Sequence, residues 1–406
     1  MKKIVFYRIY AFVTILTLIL SSCSNESKYK VLLVTGQSNS AHNWEASHDA
    51  LKKILENAPI FKLDLAISPE KGSDMSTFHP DFNSYDVVVL DYDGDSWTKE
   101  TQKSFEQYVN NGGGVVVVHA ANNSFPEWKE YNLMTGLGGW GNRNEKSGPY
   151  LRWEDGKAVK DYSPGPGGMH GDKTQFIVET RDPSHPIMKG LPLKWMHASD
   201  ELYGKLRGPA ENVNVLATGW SDPKTNGSGN HEPVLFTINY GKGRIFHTVL
   251  GHVGKEGDLI AYKSALFIYT LQRGTEWAAS GKVSQKIPED LPNIATPLIL
   301  PKYKDYTLAD LFTRAKKYEV GKSKKYLNLI SQRIRNQKGD PKALAEYESE
   351  ILKLLRSSNV TSEAKNYFCR ELSWMGSEKS IPVLENLTKK PETAEMSHYA
   401  LTRLNQ

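Results

Sequence analysis

Six polar side chains in the 406-residue sequence are of types that move protons or bind metal ions: His42, His119, His170, Asp200, Glu201 and His252. They are scattered along the chain. Three or four converging nitrogen and oxygen donors can hold a divalent ion such as zinc. A single His or Glu acting as general base, with its neighbours binding hydroxyls, needs no metal. No pair forms a local signature such as H-E-x-x-H, so both readings stay open and the tertiary fold has to do the gathering. The metal reading takes His42, His119, His170 and His252 as ligands of a divalent cofactor; in either reading His119, Asp200 and Glu201 are the candidate catalytic groups. The other histidines read differently. His247 alternates with Ile245 and Val249 along one strand face and is expected to be a hydrogen-bonded core residue. His48, His79 and His398 fall on helix surfaces or loops and are given no role, while the direction of the His197 side chain in "WMHASDELY" is not readable.

A parallel sheet is the element that can bring such residues together. "KYKVLLVTG", "FKLDLAI", "YDVVVLDYD" and "GVVVVHA" read as strands, with amphipathic helices over 46–57 and 99–111 between them. Near-continuous Val and Leu runs imply strands covered on both faces, hence an α/β, doubly wound, mostly parallel sheet of flavodoxin-like type. Ligands of such sheets bind beyond the carboxyl ends of the strands. That rule places His42, Asn43 and Trp44 after the first strand, Asp91, Asp93 and Asp95 after the third, His119, Asn122 and Asn123 after the fourth, and His252 at the end of a later one. Asn111-Gly112-Gly113-Gly114 reads as a helix stop. Tyr240-Gly241-Lys242-Gly243 reads as a hairpin turn. Residues 137–173, rich in Gly, Pro and aromatics, form an insertion expected to cover or line a site, and a helix over 259–273 is expected to close the unit.

This α/β unit spans 30–278. A Pro-rich linker (279–305) leads to an all-α, helical-repeat-like unit (306–406) in which Asp340-Pro341 starts a helix and the last three helices resemble a HEAT-type pattern. Residues 301–406 carry 20 basic and 13 acidic groups, and the first 23 residues add three cations; with a formal total of +5, residues 24–300 are net acidic by five. An acidic middle section excludes nucleic acid as the partner of a site lying there. At the amino end, Lys2, Lys3 and Arg8 precede an apolar run from Ala11 to Leu20 and then Ser21-Ser22-Cys23. This reads as a lipoprotein signal over 1–23, with Cys23 lipidated and 24–29 as a tether, holding the protein on a membrane surface of the cell envelope. Cys369 is the only other cysteine and is expected in a core, with no intramolecular disulfide.

Five ordered segments, "VLLVTGQSNSAHNW", "NGGGVVVVHAANNSF", "RDPSHPIMKGLP", "SDELY" and "YGKGRIFHTVLGH", together resemble the ThuA-like (trehalose utilisation) family. The resemblance implies a class I glutamine amidotransferase-like sheet in which His119 stands at the nucleophile's position. Since no cysteine occurs in 24–368, thiolate acyl transfer is excluded for this unit. The family's polar positions fall on His42, His119, His170, Asp200, Glu201 and His252. A longer insertion and a histidine at 247 depart from its pattern. The resemblance further implies disaccharide catabolism beside a dehydrogenase or glycosidase partner, with a 3-keto-glycoside undergoing isomerisation, elimination or hydrolysis. Trp44, Asn43, Asn123, Trp140 and Trp153 are the candidate contacts to the saccharide. The alternative is a non-catalytic sugar-binding or scaffold lipoprotein.

Overall fold

A computed structural model describes residues 28–288, 290–300, 308–322 and 324–404. The signal sequence, Cys23 and most of the tether lie outside the described residues. Among the described residues no helix is long and apolar enough to cross a membrane.

The Val/Leu runs become the inner strands of a nine-stranded sheet. β1 (Tyr29–Thr35), β2 (Phe61–Ile67), β3 (Val87–Leu90) and β4 (Gly114–Val118) are parallel, and a later strand, β13 (Gly243–Thr248), joins β4 in the same direction. Beyond it the sheet turns antiparallel through β12 (His231–Tyr240), β11 (Val213–Trp220), β8 (Thr174–Thr180) and β9 (Lys194–Asp200). The order is β2-β1-β3-β4-β13-β12-β11-β8-β9. Every residue of β3 and β4 is buried. Helices α1 (Trp44–Glu56), α2 (Lys99–Asn110), α3 (Lys129–Thr135), α4 (Ile260–Lys263) and α5 (Ala265–Ser280) pack on the sheet, α5 against β3, β4 and β13. That approach is close: a Cβ on Gly114 would lie 2.4 Å from the Ala278 carbonyl oxygen, so only glycine fits at the start of β4. The chain reverses between β1 and β3, and the doubly wound order makes the carboxyl ends of these strands a crevice. Residues 241–242 form the two-residue loop of the β12–β13 hairpin, with Gly241 at φ +56°.

Three segments differ from the sequence expectation. The closing helix breaks at Ser264, whose extended backbone (ψ 127°) separates α4 from α5, and α5 then continues to Ser280. The 137–173 insertion contains its own hairpin, β5 (Tyr150–Glu154) with β6 (Lys157–Asp161), and a short strand β7 (Met169–His170) paired with β10 (Tyr203–Gly204). Its anchor is Arg143, whose buried guanidinium donates to the carbonyls of Asn123, Ser124 and Gly139 and to the Asn132 side chain. The Pro-rich stretch is docked rather than a free spacer: Met196 N–H donates to the Asn293 carbonyl (2.6 Å), Ala265 N–H to Leu298 (2.8 Å) and Leu300 N–H to Lys263 (3.0 Å). Proline content predicts the absence of helix there, but the remaining backbone groups still seek partners at an edge strand and a helix break.

The second unit comprises α6 (Leu308–Ala315), α7 (Lys325–Asn336), α8 (Pro341–Arg356), α9 (Ser362–Met375), α10 (Ile381–Leu387) and α11 (Pro391–Leu404), which enclose a separate apolar core. Asp340 caps α8 by accepting from the Lys342 and Ala343 amides, with Pro341 in the first turn. Cys369 is fully buried in this core, and burial pushes its thiol up to about 11.

Candidate functional site

The final residue of the GGGVVVVH run sits where β4 must end. His119 opens a 3-10 turn (His119–Asn123) with φ +44°, a left-handed backbone that a non-glycine residue adopts at a cost of about 1–3 kcal/mol. The ring is held as well as the backbone. Nδ1 donates to the Val249 carbonyl at 2.6 Å, which leaves Nε2 as the lone-pair nitrogen. That atom is buried and finds no hydrogen-bond partner among the described residues. Burial, followed by the nearness of His42 and His252, keeps the imidazole well below its usual pKa, so it is neutral and ready to ligate.

Two further imidazoles face it. His42 follows β1, and His252 follows β13 after Gly251. The ring centroids of His42, His119 and His252 form a nearly equilateral triangle with sides of 5.2, 5.0 and 5.4 Å and steeply inclined planes. Burial, then His252, lowers His42 to about 4, with Glu201 opposing. Its Nδ1 approaches Asn39 Oδ1 at 3.0 Å and its Nε2 the Tyr203 hydroxyl at 3.1 Å. Glu201 completes the group. One ligand atom from each of His42, His119, Glu201 and His252 lies within 4.8 Å of every other. His252 Nδ1 is 3.0 Å from Glu201 Oε2 yet out of line for a hydrogen bond. Ligands about 2.0–2.2 Å from a shared ion stand about 3–3.5 Å apart, so side-by-side donors suit one ion better than they suit each other. Burial works to raise the Glu201 carboxyl, but His252, with His170 and His42 behind it, more than offsets this and leaves it below the usual range.

The structure exchanges two roles expected from sequence. Glu201 takes the fourth place in the cluster. His170 stands outside it, 3.9 Å from Glu201 Oε2, with its side chain 43% exposed. The reason is register: β7 pairs His170 with Tyr203, which sets it on the rim. Asp200 also moves, out of the catalytic set. It is fully buried and accepts the amides of Glu201, Gly251 and His252 and a nitrogen of His197, at 2.8–2.9 Å. His247 is fully buried: Nδ1 donates to the Thr135 carbonyl (2.8 Å) and Nε2 accepts from Asn122 (3.1 Å), as expected for a core histidine. His48 is not on a helix surface; it is buried against Trp44.

Comparison with known proteins places the α/β unit in a family. The profile of the ThuA family, described as trehalose utilisation, matches residues 30–278. The chain belongs to the ThuA family. It is 54% identical to a ThuA-like protein from Parabacteroides merdae, whose crystal structure aligns over 68% of this chain and 99% of that one with a TM-score of 0.66. A ThuA-like protein from Bacteroides uniformis is 21% identical, over 63% of this chain and 93% of that one, with a TM-score of 0.43. No curated protein matches the chain. Membership relates the α/β unit to carbohydrate processing and trehalose utilisation.

Within this ThuA fold His42, Glu201 and His252 of the cluster line a cavity of about 490 Å³, a size that encloses a small organic ligand, while His119 lines the smaller chamber behind it. Asn39, Asp93, Asn123, Trp140, His170 and Tyr203 supply most of the rest. Tyr203 was not singled out from sequence. Its ring lies 4.1 Å from that of His119, and burial holds its hydroxyl well above the usual range, so it remains a donor. Asn39 links His42 to Asp93, donating to Asp93 Oδ2 at 2.6 Å. Of the expected saccharide contacts, Asn123 and Trp140 line the cavity. Trp44 faces a smaller chamber on the inner side of the cluster, with Asp91. Asn43 instead caps α1 and donates to the Lys255 carbonyl. The β5–β6 hairpin carries Trp153 to Arg181, 5.3 Å from its ring. Trp140→Ala is expected to raise KM for a sugar substrate about three- to tenfold with kcat little changed, the loss of one aromatic contact. Steady-state kinetics with both constants resolved checks this.

Proposed function

We propose that the chain is a sugar-processing enzyme acting on a 3-keto-glycoside or a related keto sugar, with a divalent first-row ion held by His42, His119, His252 and Glu201. One observation carries the reading: four donors converge, and three of them, His42, Glu201 and His252, line a cavity that also offers an aromatic ring, a carboxylate and an amide. The donor set of three imidazoles and one carboxylate fits a zinc-like or similar divalent ion, and the unpartnered buried Nε2 of His119 is explained by it. Bound there, such an ion supplies Lewis acidity at a ketone oxygen.

The chain's own groups supply the remainder. His170 Nδ1 donates to the Gly171 carbonyl at 2.8 Å, so its Nε2 lone pair is free to take a proton from the carbon beside the ketone. The Tyr203 hydroxyl donates to oxygen as negative charge develops. Asp93 and Asn123 bind ring hydroxyls and Trp140 stacks on the ring face. Returning the proton to the former carbonyl carbon, with the hydroxyl proton on the first carbon passing to the former ketone oxygen, gives isomerisation. Expelling the glycosidic oxygen from the carbon on the other side of the carbanion gives elimination. A ketone at this position arises by oxidation of a sugar hydroxyl, so a dehydrogenase on the same glycoside is the proposed partner activity, and lipidation of Cys23 would place the reaction at the cell envelope.

Incubation with a 3-keto-disaccharide in D2O, followed by NMR, tests the reading. Deuterium entering the carbon adjacent to the ketone is the expected result, dependent on a divalent ion. Absence of both exchange and product with metal-loaded protein would overturn it.

A further inference from the structure

We infer that His197 is a positioning residue which, through Asp200, holds Glu201 and His252 in place for the cluster, and that residues 293–300 brace it from behind. The inference rests on the cluster reading above. Neither His197 nor Asp200 borders the cavity, so any influence on the site passes through other groups.

Asp200 is the junction. Its Oδ1 accepts the amides of Glu201 (2.8 Å) and His252 (2.9 Å), and its Oδ2 accepts the amide of Gly251 (2.8 Å) and His197 Nε2 (2.9 Å). One carboxylate thus ties the end of β9 to the turn after β13 and fills about four lone-pair positions. Two cluster residues hang from it by their own backbone amides. The turn has little alternative: Gly251 has φ +106°, and a Cβ there would lie 2.8 Å from the Phe267 ring.

Three of the four donors to Asp200 are neutral backbone groups, and the fourth is the imidazole. With Nε2–H directed at Asp200, His197 Nδ1 must accept, and the Ser264 hydroxyl lies 3.0 Å away to donate. Ser264 is the residue that breaks α4 from α5, and it bridges Ile299. On the other side, Met196, next to His197, donates its amide to Asn293. The docked Pro-rich strand therefore pins both residues that flank this buried chain. Carboxylate and imidazole partners of this outer kind are worth about 10–100-fold in metal affinity.

The test uses the full chain and Co(II) as probe, with calorimetry for affinity, the visible absorption band for geometry, and thermal unfolding of the metal-free protein. His197→Phe keeps a ring of similar size and removes both hydrogen bonds. Its Co(II) affinity is expected to fall about 10–100-fold with a changed band, and His197→Gln, which keeps a donor towards Asp200, is expected to recover most of it. Ser264→Ala, a milder change, is expected to give a smaller loss of the same kind. Phe105→Leu, a core change on α2, is expected to lower the unfolding midpoint without changing affinity. Wild-type affinity and band in both His197→Phe and Ser264→Ala would overturn the inference, as would an equal loss in Phe105→Leu. Wild-type protein that binds no Co(II) would overturn the cluster reading and this inference with it.

Discussion

His119→Asn is expected to yield a folded protein that no longer retains a divalent ion, with affinity down by more than about 100-fold, beyond what loss of an outer partner alone produces. The choice of asparagine follows from the backbone. At φ +44° most side chains are strained, whereas asparagine enters the left-handed region readily, so the turn after β4 should survive. What disappears is the ring whose Nδ1 is committed to Val249 and whose Nε2 is left pointing at the other donors. The amide of asparagine is shorter and cannot satisfy both. Turnover of a keto-sugar substrate should be lost with the metal. Elemental analysis of protein purified without chelator, beside circular dichroism to establish folding, reads both halves of the expectation. Stoichiometric metal in folded His119→Asn protein would remove His119 from the centre of the site.

Much of the framework was legible because the physics that sets it is local and periodic. β3 and β4 are unbroken apolar runs, and such runs require cover on both faces, which a doubly wound arrangement gives. The rule that ligands gather at carboxyl strand ends then leads to His42, His119 and His252 without any alignment. Alternation also sorts the residues at the end of β9. In "SDELY", successive residues of extended chain face opposite ways, so Asp200 turns into the core while Glu201 and Tyr203, two apart, both reach the cavity. That signal separates the buried clamp from the ligand and also finds the tyrosine.

The exchange between His170 and Glu201 had no comparable signal. It depends on β7 and β10, two-residue strands that are distant in sequence and too short to show a period. The same holds for the two tryptophans of the insertion. Trp140 is held at the cavity by a hydrogen bond from its backbone N–H to the Gly167 carbonyl, whereas Trp153 is carried off on a hairpin whose packing is decided by Arg152 and Glu232, 3.0 Å apart. Composition identifies the insertion as aromatic but not which ring faces the cavity. Likewise, prolines announce a stretch without helix after α5, yet whether residues 293–300 dock depends on open hydrogen-bonding groups at β9 and at the α4–α5 break, which belong to other parts of the chain.

Acid is expected to unfold the metal-free protein well before its carboxylates are exhausted. Three buried histidines are neutral in the folded state: His247, lowered by burial to about 3; His42, lowered by burial and then His252 to about 4; and His119, held well below its usual value by burial and then His42 and His252. Unfolded, each titrates near 6.5. Their contribution to stability is therefore complete above about pH 6.5 and is lost as pH falls towards the folded values. Asp91 acts in the opposite sense. Burial raises it to about 7, so the folded state keeps its proton where the unfolded chain releases it, offsetting one of the three. Between about pH 6.5 and 4 unfolding then takes up a net two protons or so, a slope of about 2.7 kcal/mol per pH unit. Raised Asp93 and Glu232 work against this slope, lowered His185 and His231 add to it, and carboxyls held low, Glu201 among them, matter only at still lower pH. The loss over that interval is at most about 7 kcal/mol, all of the margin of a domain stable by about 5 kcal/mol and nearly half of one stable by about 15. Urea unfolding at pH 7, 6 and 5 in the presence of a chelator measures the slope. His247→Gln should reduce it by about 1.4 kcal/mol per pH unit, because it removes one proton from the balance. Equal stability at pH 7 and pH 5 would mean that these rings are charged inside the fold, and with that the neutral donor cluster would lose its footing.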